Sequence, residues 1–148
     1  MKKLKNTKNP HLKILYDCMG NQKLQLTKND GKKEIPFYIG EDDSVEIYSS
    51  GALIGHWQKE KSKIAFIDNN GQVLFDIVKS NAVKDLQAVV CDTGVLVEEK
   101  WNNDKMFMQY YTYSGEIIVA SDVKNLANKI DEFEQEKGIY WDEDELTL

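Results

Sequence analysis

A glycine preceded by a small polar residue returns along this chain at near-constant spacing. Gly31, Gly51, Gly71, Gly94 and Gly115 follow Asn29-Asp30, Ser49-Ser50, Asn69-Asn70, Asp92-Thr93 and Ser114, at intervals of 20, 20, 23 and 21 residues. Apolar or β-branched runs flank most of them. Glycine accepts the positive φ of a tight turn, and Asn, Asp and Ser satisfy turn backbone locally, so each cluster reads as a hairpin turn. Two strands of about six residues and two turns sum to about 20 residues. The rhythm is therefore that of an antiparallel meander, because the segments share little side-chain identity beyond strand–turn–strand.

Strands are expected at 11–17, 22–27, 33–39, 44–48, 52–58, 63–68, 72–78, 86–91, 95–101, 105–113 and 116–121. Pro36 lies inside the third run and places it at an edge or a bulge, since proline cannot donate to a ladder. Asn70-Gly71 is the strongest turn signal and predicts positive φ at both central positions. Asp122 opens the one convincing helix, expected over 122–137 with Gly138 as its stop. Val123, Leu126, Ala127, Ile130 and Phe133 form its apolar stripe, and Asp131, Glu132, Glu134, Gln135 and Glu136 lie off it. The runs Ile64–Ile67, Val73–Phe75 and Ile117–Val119 are apolar on both faces, which suits strands covered on both sides; the helix is the expected cover.

The fold expected is thus mainly β: an antiparallel meander of about five hairpins, as a barrel, roll or sandwich, with one C-terminal amphipathic helix. Residues 1–10 read as a flexible basic arm, 11–138 as a single β-rich domain including the helix, and 139–148 as an acidic tail.

The net charge of -6 conceals a gradient. Residues 1–33 hold nine lysines against two acids, 34–121 hold seven against fourteen, and 122–148 hold three against nine. The oppositely charged ends are expected to attract one another, within one molecule or between molecules, the second being self-association. All 19 basic residues are Lys. Without the planar fork of Arg, specific nucleic-acid reading is not expected. No run is long enough for a membrane helix, so membrane insertion is not expected either. The Lys-rich N-terminus lacks the apolar segment of a signal peptide, and Cys18 and Cys91 form no C-x-x-C, so a cytoplasmic protein with reduced thiols is expected.

Tyr16-Asp17-Cys18-Met19-Gly20-Asn21, with Thr27 and Asp30-Gly31, resembles one unit of the YD repeats of toxin-encapsulating shells over fewer than 20 residues. The order of hairpins and then a helix is similar to tubby-like barrels, a resemblance that implies a closed barrel threaded by the helix.

No motif for phosphate cradling, dinucleotide binding, a nucleophile elbow or a zinc protease occurs, and His11 and His56 have no ligand spacing. No catalytic residue, metal site or cofactor is expected; a Cys91–His56 nucleophile pair is the one enzyme reading to check against the fold. The candidate partner-binding residues are Glu41, Asp42 and Asp43 in one turn and Trp141, Asp142, Glu143, Asp144 and Glu145 in the tail, with Trp141 as anchor. Trp101, Tyr111 and Tyr113 are a candidate aromatic interface. These features point to a non-enzymatic domain that binds a basic protein, in its sharpest form an immunity protein or inhibitor that neutralises a cationic toxin. The alternatives are a small-ligand or lipid-binding β-barrel and an accessory or structural subunit.

Overall fold

The computed structural model describes residues 12–16, 22–30, 33–36, 38–49, 51–91 and 93–137. These residues form eleven strands and one helix: β1 Leu12–Tyr16, β2 Gln22–Asp30, β3 Lys33–Pro36, β4 Asp43–Ser49, β5 Ala52–Glu60, β6 Lys63–Asp68, β7 Val73–Val78, β8 Val83–Val90, β9 Gly94–Trp101, β10 Met106–Thr112, β11 Ile117–Ile118 and α1 Val123–Glu136. All pairings between successive strands are antiparallel, in three sheets ordered β1-β2-β3, β4-β5-β6-β7 and β11-β10-β9-β8. The sheets are not closed into a barrel, so the barrel threaded by a helix is replaced by separate open sheets.

The chain divides into two compact units. One takes both chain ends, residues 1–37 and 118–148; the other is Tyr38–Ile117. Nine lysines against three acids in 1–37 cancel three lysines against nine acids in 118–148, so the first unit is neutral. The whole net charge of -6 falls on the second, with seven lysines against thirteen acids.

In the unit of Tyr38–Ile117, alternation sends Ile47, Trp57, Ile64, Phe66 and Phe75 to one face of the β4–β7 sheet, where all are buried. That face meets β10 through a seam of rings. Trp57 lies 4.8 Å from Phe66, 6.0 Å from Phe75 and 6.1 Å from Tyr113, and Phe75 meets Tyr111 edge-on at 5.3 Å. Fully burying such side chains contributes about 1.5–3 kcal/mol each. In the other sheet both parities are buried: Val95 and Tyr111 on the ring side, Leu96 and Tyr110 on the opposite side. Tyr38 bridges Val89, and Ile39 N–H donates to Ala88 O at 3.0 Å, lengthening that sheet beyond β8.

Three hairpins share one turn. Asp68 N–H donates to Gln72 O and Gly71 N–H to Asp68 O; Thr112 with Glu116 and Gly115, and Trp101 with Lys105 and Asp104, repeat the pattern. In each, the third loop residue has positive φ: Gly71 at 82°, Gly115 at 94° and Asp104 at 66°. This is the three-residue loop of a type I turn and a left-handed residue. Asn70 does not share the positive φ, so the two-residue Asn-Gly turn is corrected to this longer one. Gly94 is no turn glycine. It opens β9 opposite Thr112, and a Cβ there would collide with Tyr111 O and stand 2.9 Å from Tyr110 Cε2.

In the unit of the two chain ends, Leu12, Ile14, Leu24 and Leu26 are buried on alternate positions of β1 and β2, and α1 packs on these two strands. Pro36 ends the edge strand β3, as proline's missing donor requires. Asp122 caps α1, its carboxylate accepting from Asn125 N–H at 2.8 Å. The helix buries more than its apolar stripe: Asp131 and Glu134 are buried beside Leu126, Ala127, Ile130 and Phe133. Positions 127, 131 and 134 form a second row along the same broad face. These two carboxylates therefore do not belong to an acidic outer face, and only Glu132 and Glu136 of the run are exposed there. Among the described residues no helix is long and apolar enough to cross a membrane.

Candidate functional site

The turn before β4 is the part of the predicted acidic surface that the structure describes. Its backbone is fixed at three points: Asp42 N–H donates to Lys59 O at 2.8 Å, Asp43 N–H to Gly40 O at 3.2 Å, and Ser44 N–H to the Asp43 carboxylate at 2.9 Å. Asp42 takes φ of 59°, a left-handed conformation that Asp tolerates better than most residues. The turn is thus held open by hydrogen bonds rather than by apolar packing.

The three carboxylates are not equivalent. Glu41 is engaged by Lys59, whose ammonium is buried and lies 2.8 Å away. Lys59 alternates with Trp57 on the inward face of β5, so its long stem runs through apolar surroundings and its charge emerges at Glu41. Asp42 and Asp43 are exposed, and no lysine is within ion-pair distance of either among the described residues. Glu46 continues the same strand on the outer face and accepts from Tyr48 Oη at 3.4 Å. At the same end of the outer face as the acidic turn, one row past the Asp43–Lys59 pair, Lys63 lies 3.8 Å from both Glu60 and Asp76 and partly compensates the acids there.

Trp141, Asp142, Glu143, Asp144 and Glu145 lie outside the described residues. The candidate aromatic interface separates into two parts. Tyr111 is buried, its hydroxyl donating to Gln109 Oε1 at 2.7 Å, and Tyr113 is half-buried with its hydroxyl on the carbonyls of Cys91 and Gly94. Both rings belong to the seam between the sheets. Burial, with the Glu99 carboxylate as the lesser cause, raises the Tyr111 pKa above its ordinary value. Trp101 is half-buried and meets the exposed Phe107 at 5.1 Å, so this pair is the accessible part of that cluster; Tyr38 and Tyr48 are exposed elsewhere. Phe107 was legible as part of the Trp101–Tyr113 aromatic run but not as its exposed member, because alternation alone does not say which face is covered.

His56 and Cys91 do not form a nucleophile pair. His56 stands opposite Glu46 and Ile67 on the outer face of the β4–β7 sheet, away from the ring seam. Cys91 sits at the end of β8 in the other sheet. Among the described residues no group of three or more His, Cys, Asp or Glu side chains is placed to hold a metal ion. The chain matches no protein-family model, no curated protein and no solved structure.

Proposed function

We propose that this chain is a non-enzymatic protein-binding domain, and in its sharpest form a cytoplasmic immunity or inhibitor protein that neutralises a basic protein, such as a cationic toxin, through its carboxylates. The observation that carries the reading is the Glu41–Asp43 turn. Lys59 takes up Glu41 while three backbone hydrogen bonds hold Asp42 and Asp43 exposed in a fixed geometry. Charges held in place before binding lose little conformational freedom on association, and they steer a partner of opposite sign. The concentration of the net charge of -6 in residues 38–117 supports the same sign of partner. The aromatic pair Trp101–Phe107 is a second contact of the kind interfaces favour.

The test is capture of a partner from cells that make the protein, followed by expression of that partner alone and together with this chain. The reading expects one basic protein that arrests growth alone and is harmless in combination. Capture of no basic protein, or of one whose effect on growth this chain leaves unchanged, contradicts it.

A further inference from the structure

The β6–β7 turn holds two asparagines in different circumstances. Asn69 donates its side-chain amide to Leu53 O, whereas the exposed Asn70 side chain makes no hydrogen bond to a described residue. Asn70 is followed by Gly71, and a Cβ built at that glycine would meet nothing within 4 Å. An amide nitrogen unshielded by a Cβ, next to a free side-chain amide in open solvent, is the arrangement that lets a backbone nitrogen attack the preceding asparagine. We propose that Asn70 is a latent site of spontaneous deamidation, kept closed by Asp68.

The reaction needs only water. Base removes the Gly71 amide proton, the Gly71 nitrogen bonds to Asn70 Cγ, and the Cγ–Nδ2 bond breaks to release ammonia, which carries the returned proton. Water then opens the cyclic imide at either carbonyl, leaving aspartate or isoaspartate at position 70. No oxidation or reduction occurs.

The folded turn opposes the first step. Gly71 N–H donates to Asp68 O at 3.0 Å, so the nucleophile is engaged. The Asp68 carboxylate accepts from Asn70 N–H and Gln72 N–H, each at 2.9 Å, and pins the loop on either side of Gly71. Attack therefore requires local opening of the turn. Once formed, isoaspartate adds a backbone carbon to a three-residue loop and a carboxylate beside Asp68. The strands joined by that loop carry Phe66 and Phe75 into the ring seam.

The experiment incubates the purified full chain in mildly alkaline buffer and reads ammonia release and the mass of the Asn70 peptide over time. Wild type, Asp68→Ala, Asp68→Asn and a urea-unfolded wild-type sample run in parallel, with circular dichroism reporting the fold. Asn70 is expected to convert, with Asn69 intact, and Asp68→Ala to convert at least about tenfold faster, since each of the two hydrogen bonds it loses is to a charged group and one alone is worth that much. Asp68→Asn retains an acceptor at Oδ1 and is expected to convert nearer the wild-type rate, which separates loss of the acceptor from loss of the charge. An Asn70 that stays unmodified even in urea overturns the site. A folded Asp68→Ala that converts no faster than wild type, or an Asp68→Asn as fast as Asp68→Ala, overturns the guard.

Discussion

The Lys59 ammonium is 5% exposed and rests 2.8 Å from the carboxylate of Glu41, which is 53% exposed. A buried cation is thus neutralised by an anion at the surface, 18 residues earlier in the chain. The pair ties the acidic turn to the inner face of β5, while Asp42 and Asp43 stay exposed. Glu41→Gln strands the ammonium and is expected to cost about 1–2 kcal/mol, less than for a fully buried pair because water reaches the turn. Lys59→Met removes the charge and keeps the packing, so it costs less. Urea-unfolding midpoints of the two variants check the order.

Gly94 and Gly115 separate close approach from backbone conformation. Gly94→Ala forces a methyl against Tyr111 O and the Tyr110 ring and is expected to cost more than about 2 kcal/mol, in the range of overpacked cores. Gly115→Ala meets open space and bears only the strain of its positive φ, about 1–2 kcal/mol. The same unfolding measurement ranks them; equal losses would show that Gly94 is not packed as described.

Tyr111 sets an upper pH limit. Its pKa in the folded protein is raised above 10.0 by burial first and by Glu99 second, so above the unfolded value the unfolded chain releases a proton that the folded chain retains. The contribution is fully present below pH 10.0 and is lost as pH rises through the folded pKa. Unfolding free energy is expected to fall through this alkaline window, and less steeply in Tyr111→Phe.

The chain ends predict a salt response. With nine lysines against two acids in residues 1–33 and nine acids against three lysines in 122–148, any pairing between molecules is exposed to counterions, which screen charges beyond about 10 Å at 0.1 M salt. Light scattering is expected to show self-association at low salt that is lost at moderate salt. A mass independent of salt places the compensation of these charges within one molecule.

Each strand of the structure overlaps a run that the sequence marked out, because turns at Gly51, Gly71 and Gly115 bound alternating segments. The Asp122 cap was legible for the same local reason. What escaped was non-local or ambiguous in pattern. Asp92-Thr93-Gly94 reads as a turn, yet Gly94 is needed for contact with the next strand; Asp104 takes the left-handed turn position with no glycine to announce it. Asp131 and Glu134 are acidic, so a stripe drawn through apolar residues omits them, although they complete the buried face. The Lys59–Glu41 pair depends on the β4–β5 register and the placement of a turn. The grouping of the two chain ends in one unit, with α1 on β1 and β2, leaves no trace in the turn pattern, only the opposite charge of the two ends.

The most direct measurement is the association rate of the captured basic partner with wild type and with Asp42→Asn/Asp43→Asn, read by stopped flow at low and moderate salt. Asparagine keeps the Oδ1 acceptor for Ser44 N–H and tolerates the left-handed φ of Asp42, so the turn survives while its free charge is removed. The account predicts an association rate about tenfold lower for the variant at low salt, a gap that narrows as salt rises, and a dissociation rate that changes little. Equal association rates at low salt would contradict recognition through this turn.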